Sequence, residues 1–300
     1  MLYLNRSKAL KERFFICFVF ERVYEWLLLE SFLACFLIYP YHIINTAITN
    51  TMKVPQWIFY VSTALMFLSA FFVVNVPFEP EYALISQFAI IFMALPTLIG
   101  VFLTYPRKQA WLIVIGLGLY ALLFETIAIV TGWPYTPFEY GERIGAKLLG
   151  PVPWSVFLAW SPLAISSYVV IKKQLPKLTA SQRIIIATVF LMLLDVVLDP
   201  GAVLLEFWIW EIDGWFYGVP LQNFFGWLVS GVFGIWFLER VTAKVNPSSF
   251  HPLILWTGAW SMAFWTGVTL FGELWVPAFI GIILLGIFVL SHNMLTKDEK

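Results

Sequence analysis

Eight stretches of roughly twenty apolar residues follow one another along this chain, and they leave room for few folds. A helix needs about 20 apolar residues to cross the hydrocarbon of a bilayer. The stretches run over 57–75, 82–104, 110–131, 152–171, 183–204, 219–238, 252–271 and 274–292. Composition agrees, with 61% hydrophobic and 12% charged residues, where a soluble domain carries about 25% charged ones. The expected fold is therefore all-α: a polytopic integral membrane helical bundle of eight or nine helices, multi-pass in the cell membrane. The ninth would come from 14–49. Its first half, FFICFVFERVYEW, mixes charge with aromatics as an interfacial helix does. Its second half, Leu27 to Ile48, is long enough to span, with Pro40 as a kink. Residues 1–50 are read as an N-terminal interfacial or first membrane segment, and 51–300 as the membrane-embedded domain, with 120–240 as its motif-rich core. Glu21, Arg22, Glu25 and Glu30 interrupt the early apolar run, and no small-residue cleavage site follows, so it does not read as a signal peptide.

Net charge is zero, which gives no reason to expect nucleic acid as a partner. Cys17 and Cys35 lie in apolar stretches without CxxC spacing and read as inert packing. His42, His251 and His292 are scattered, and no metal site is expected. Basic loops fall on alternate connections: Arg107–Lys108, Lys172 to Arg183, Arg240–Lys244, and Lys297 with Lys300. The connections between them are acidic, with Glu79 and Glu81, Glu139 and Glu142, Glu211 and Asp213, and Glu273. Basic loops stay on the cytoplasmic side, which puts the acidic ones outside. Arg143 and Lys147 are exceptions that share a loop with two acids.

Three acids stand inside the apolar stretches: Glu125, Asp195 and Asp199. A carboxylate at mid-membrane costs about 2.5–3.5 kcal/mol on insertion scales, so each asks for a reason. At about 1.5 Å per residue, Glu125 lies roughly 22 Å beyond Ala110, and Asp195 and Asp199 roughly 18 and 24 Å beyond Arg183. All three thus belong to the outer half of the membrane. Asp195 and Asp199, four residues apart, share a helix face. Pro200–Gly201 follows at once, and a proline there is expected to kink or end the helix.

The order acid-bearing helix, aromatic loop, returning helix occurs twice. The returning helices open with VPWSVFLAW (Val152 to Trp160) and VPLQNFFGW (Val219 to Trp227). This reads as an internal duplication of an acid-bearing hairpin, both copies running in the same direction. Proline at a first helical turn and tryptophan at a membrane interface would also produce the match. Gly226, Ser230 and Gly234 form a small-residue stripe, expected to be a helix-packing face.

The segment DVVLDPGAVLLEFWIWEIDGWFYGVPLQNFFGW resembles the membrane carotenoid biosynthesis proteins, the family of carotenoid 1,2-hydratases of the bisanhydrobacterioruberin hydratase type. The residues that carry the resemblance are Asp199–Pro200, Trp208 and Trp210, Tyr217 to Pro220, Asn223 and Gly226–Trp227, together with Glu125, Gly132, Tyr140, Gly145 and Pro153. It covers 120–240. WPYTPFEY stands where a more glycine-rich run is expected in the family. The resemblance implies a cofactor-independent hydro-lyase and a lipophilic carotenoid or polyisoprenoid substrate. Its surroundings would be membrane lipids and other carotenoid-pathway enzymes.

The chemistry suits the residues. Protonation of C2 in a ψ end group leaves a tertiary cation at C1, water adds there, and a base takes the spare proton. Burial and a neighbouring carboxylate both favour the protonated form of an acid, so Glu125, Asp195 and Asp199 could hold one proton at neutral pH. Trp208, Trp210, Tyr217 and Trp227 could offer cation–π faces, and Asn223 and Tyr140 could hold the water. A non-enzymatic carrier or scaffold for lipid or proton would need a polar path through the whole membrane, and these acids cluster on one side. An acid-catalysed carotenoid cyclase would use the same acids while keeping water from the cation.

Overall fold

A computed structural model describes residues 54–76, 83–144, 147, 151–245 and 250–298. Its helices belong to one compact unit, Pro55–Lys300. The expected interfacial or first membrane segment within 1–50 lies outside the described residues, as do Glu79, Glu81 and Gly145.

Eight helices long and apolar enough to cross a membrane are present among the described residues. We label them α1 Gln56–Asn75, α2 Ala83–Thr104, α3 Arg107–Thr131, α4 Val156–Gln174, α5 Ala180–Leu204, α6 Leu221–Thr242, α7 Trp256–Phe271 and α8 Trp275–Asp298. The protein is thus an all-α, multi-pass membrane protein. Proline stands just ahead of α1, α3 and α6, at Pro55, Pro106 and Pro220, where its missing N–H has no helical partner to lose. Thr179 and Gln182 form a capping box that starts α5. The second Val-Pro-led helix therefore starts just after its proline. The first starts later, at Val156, because a turn with Val156 N donating to Pro153 O at 3.1 Å intervenes.

The centre of the bundle is α7. With its preceding 3-10 turn it is 89% buried, against 17% for α1. Helices α1, α2, α4, α5 and α8 all pack on α7. The two acid-bearing hairpins, α3–α4 and α5–α6, contact each other through α4 on α5 and α3 on α6.

The helix α5 does not end at Pro200. It runs on to Leu204, with Leu205 N donating to Gly201 O at 3.0 Å. Proline brings no donor for the carbonyl four residues back, but the ladder resumes one residue later. Pro96 and Pro162 also sit inside helices.

The two aromatic loops contain the only strands among the described residues, β1 Phe138–Tyr140 and β2 Trp208–Trp210. They pair antiparallel, Phe138 opposite Trp210 and Tyr140 opposite Trp208. Gly141 N donating to Phe207 O (2.9 Å) and Glu211 N donating to Pro137 O (3.1 Å) extend the ladder at both ends. A Cβ on Gly141 would run into the Glu206 carbonyl, so this approach requires glycine. The two expected exceptions to the charge rule lie here. Arg143 pairs with Glu206 at 3.2 Å and donates to Leu205 O at 3.2 Å, and Lys147 donates to Tyr140 O at 2.7 Å. Arg143 thus ties one loop to the other, and Lys147 holds its own loop. The equivalent tryptophans of the two Val-Pro motifs also meet, Trp160 and Trp227 having ring centroids 6.4 Å apart. Antiparallel pairing of equivalent strands and contact of equivalent tryptophans are what a two-fold relation between the hairpins would give.

At the opposite end a second polar cluster joins α4, α5 and α6. Arg183 holds Glu239 with two 2.8 Å bonds, and Tyr168 donates to the same carboxylate at 2.8 Å. The ribbon and this cluster lie at opposite ends of the hairpins, which fixes a topological expectation. With Cys17 and Cys35 replaced, single cysteines at Trp133 and Ile212 should be labelled from one side of the membrane and one at Lys177 from the other, inner side. Labelling of 133 and 177 from the same side would contradict the bundle.

Candidate active site

Depth brings the acids together first. Glu125 is six residues from the end of α3 and Asp199 five from the end of α5, so they lie about 9 and 8 Å below the ribbon end at the helical rise. Asp195, one turn deeper, shares the face of Asp199, and the two are only 0% and 2% exposed.

Asn223, from the first turn of α6, joins the pair. Its Nδ2 donates to Asp195 Oδ2 at 3.0 Å and also to Asp199 Oδ2. An amide carries two N–H hydrogens, one for each carboxyl. Pro220 puts Asn223 there: it opens α6, and Asn223 N closes the first turn on Pro220 O at 3.0 Å. Asp195 Oδ1 is buried with no partner among the described residues. Glu125 is served from the ribbon, where Tyr140 Oη donates to its Oε2 at 3.4 Å. Burial pushes the Tyr140 phenol well above its ordinary value, and the Glu125 carboxylate pushes it further. Tyr140 therefore keeps its proton and acts as a donor.

The ribbon covers this site with an aromatic face. Period-two alternation turns Phe138 and Tyr140 inward, buried, and leaves Glu139 outward. Trp208 and Trp210 stand cross-strand from them, with ring centroids 6.2 Å (Trp208 to Tyr140) and 5.0 Å (Trp210 to Phe138) away. Ring contacts then continue through Tyr135, Phe124, Tyr120 and Trp160 to Trp227. Trp227 thus belongs to the aromatic wall, at its far end. Tyr217 does not join it by any such contact. Its hydroxyl accepts from Val276 N at 3.5 Å, at the start of α8.

Sequence reasoning missed Tyr135. Its hydroxyl donates to Ser230 Oγ at 3.0 Å, and Gln222 Nε2 donates to its backbone carbonyl at 2.5 Å. Burial pushes its phenol well above the ordinary value, with Glu125 adding to the rise. The stripe Gly226, Ser230 and Gly234 is a helix-packing face toward α3 and α4, and at Gly226 it also seats this loop residue. A Cβ on Gly226 would strike the Tyr135 ring, and one on Gly234 the Trp160 ring. Tyr120 Oη donates to Ser230 O at 2.7 Å between them. The stripe is small because it seats aromatic side chains. Among the described residues no group of three or more His, Cys, Asp or Glu is arranged to hold a metal ion.

Two comparisons bear on this arrangement. A family model described as "Carotenoid biosynthesis protein" matches residues 78–288. The chain belongs to this family. It is also 35% identical, over 210 residues, to a protein of Haloarcula japonica named bisanhydrobacterioruberin hydratase; the alignment covers 67% of this chain and 68% of that protein. No solved structure matches it. As a carotenoid biosynthesis protein, the chain has its acids, its ribbon and Asn223 all within the matched residues, while α1 and the end of α8 fall outside.

The Asn223 bridge is open to a direct test. Asn223→Ala should destabilise the protein in detergent by about 1–3 kcal/mol, the scale for orphaning a buried polar group. Combining it with Asp195→Asn should be clearly less than additive, because the second change removes one of the orphaned charges. Additive losses would show that the amide and the carboxyl do not interact.

Proposed function

We propose that this protein adds water across a terminal double bond of a linear carotenoid or related polyisoprenoid. The observation that carries the reading is a pair of buried carboxyl groups, bridged by one amide and roofed by aromatic rings, in the half of the membrane nearest the ribbon. Two carboxyl groups held this close do not both ionise readily; one proton is shared between them. That proton goes to C2 of the end group, leaving a tertiary cation at C1. The faces of the ribbon's aromatic rings favour the cation over the neutral alkene. Water oxygen bonds to C1, and the carboxylate takes the proton that the water sheds. The acid is regenerated, and the sum is alkene plus water.

In this reading Asp199 and Asp195 carry the transferable proton. Glu125, held by Tyr140, is a third carboxyl group at the depth of the pair. Trp208, Trp210, Trp227 and Tyr140 line the end group, Asn223 keeps the pair together, and Tyr217 fixes the loop to α8. The substrate is wholly lipophilic and comes from the bilayer, from enzymes that assemble the carotenoid chain.

Expression in a host that makes lycopene, followed by mass spectrometry of the pigments, tests the activity. Gain of the mass of water is expected. An isomer of unchanged mass would mean a cyclase, and unchanged lycopene would contradict the reading for this substrate. Asp199→Asn should leave the protein in the membrane at normal levels and lower product at least about a hundredfold, the scale for losing a general acid or base. Glu211→Gln, on an exposed loop residue, should keep most of the activity. Full hydration by Asp199→Asn would remove Asp199 from the chemistry.

A further inference from the structure

We propose that the indole N–H groups of Trp208 and Trp210 hold the oxygen that becomes the product's hydroxyl group. The proposal rests on the hydration reading above and gives these residues a task beyond presenting ring faces. The first observation is the state of the two nitrogens. Trp208 Nε1 and Trp210 Nε1 are both buried, and neither has a hydrogen-bond partner among the described residues. Buried indole N–H groups usually find a partner, as Trp260 does by donating to Ser62 Oγ at 3.0 Å. Two orphaned donors on one three-residue strand are therefore unusual.

The second observation is where they stand. Trp208 and Trp210 lie two apart in β2, on one face, cross-strand from Tyr140 and Phe138. Tyr140 already spends its hydroxyl hydrogen on Glu125. The indoles are thus the uncommitted donors of the ribbon's inner face. A carotenoid end group is hydrocarbon and offers them no acceptor. Water does, because its oxygen accepts while its hydrogens stay free to donate.

The chemistry follows from the donor and acceptor types. An indole can only donate, so it orients an oxygen without taking its proton. The oxygen keeps a lone pair for C1, and its proton leaves to the aspartate pair. Trp208 stands cross-strand from Tyr140, the residue that donates to Glu125, and carries the larger share. After the bond forms, the same N–H groups hold the tertiary hydroxyl. Without an oriented water, the cation has another exit: it loses a proton from a neighbouring carbon and returns to an alkene. Trp208 and Trp210 are then positioning residues that set how the cation partitions.

The test reads that partition. Membranes containing the full-length protein are given lycopene in deuterated water. Hydrated product and deuterium in the recovered alkene are measured together. Deuterium there counts cations that formed and collapsed. Trp208→Phe keeps an aromatic face and removes the N–H. It should lower the ratio of hydrated product to deuterated alkene by about tenfold or more, within the range for misplacing a reactant. Trp210→Phe should move the ratio the same way by less. Trp256→Phe removes another orphaned buried indole N–H, on α7 and away from the ribbon, and should leave the ratio unchanged. If Trp208→Phe does not accumulate, benzothienylalanine at position 208 replaces the N–H by sulfur at nearly the same shape, with the same expectation. A fall in activity with an unchanged ratio in both ribbon variants would overturn the proposal and leave hydration standing. Wild-type protein that yields neither hydrated product nor deuterated alkene would overturn both.

Discussion

The structure depends on making two carboxyl groups tolerable inside a membrane. Asp195 and Asp199 sit fully buried on α5, where an isolated charge is strongly disfavoured. Asn223 reaches both from α6, and that contact links the two helices of the second hairpin at the depth of the acids. The first hairpin is drawn in by the same demand. Its acid, Glu125, is satisfied by Tyr140, which belongs to a strand that exists only because the second loop pairs with it. Acid, amide, phenol and ribbon therefore form one unit, and the aromatic face over the acids is a consequence of closing it.

The rest of the bundle keeps that unit rigid. The buried helix α7 supports α5 from behind, where Gly201 lets Trp265 pack directly against the helix beside Asp199. At the far end Arg183, Glu239 and Tyr168 tie α4, α5 and α6. The acidic and basic side chains of the hairpins thus gather toward the two ends. The ribbon end holds a set suited to proton transfer, and the opposite end holds a paired Arg and Glu suited to holding helices. The lipid-facing side of α3, with Leu119, Leu123, Ile127 and Val130 exposed, is apolar throughout.

Much of this was legible in the chain, and the limits have physical reasons. Twenty-residue apolar runs give the eight spans because the bilayer sets one length for all of them. The acids were legible because a carboxyl in such a run is rare, and their common depth followed from the helical rise. The ribbon was not. Two three-residue strands about seventy positions apart carry no periodicity of their own, and their tryptophans look like interfacial anchors. Pro200 does not end α5 because a proline removes one donor only, and the helix runs on to Leu204. The Gly226 stripe announced the packing of α3 and α4 but not Tyr135, because glycine spacing is the same whether a helix or a loop residue's ring fills the groove. Arg183 reads from sequence as a loop charge and its partner Glu239, 56 residues on, gives no signal of its own, yet the two form an ion pair with side chains only 13% exposed.

The central claim is that Asp195 and Asp199 share one proton inside the membrane. Infrared spectroscopy of the protein in lipid at neutral pH tests it directly, because a protonated carboxyl absorbs apart from an ionised one and the band shifts in deuterated water. The account predicts a protonated-carboxyl band in the wild type that is changed or lost in Asp195→Asn and in Asp199→Asn and unaffected by Glu211→Gln. A wild-type spectrum with no such band, or one that neither aspartate variant alters, would contradict it.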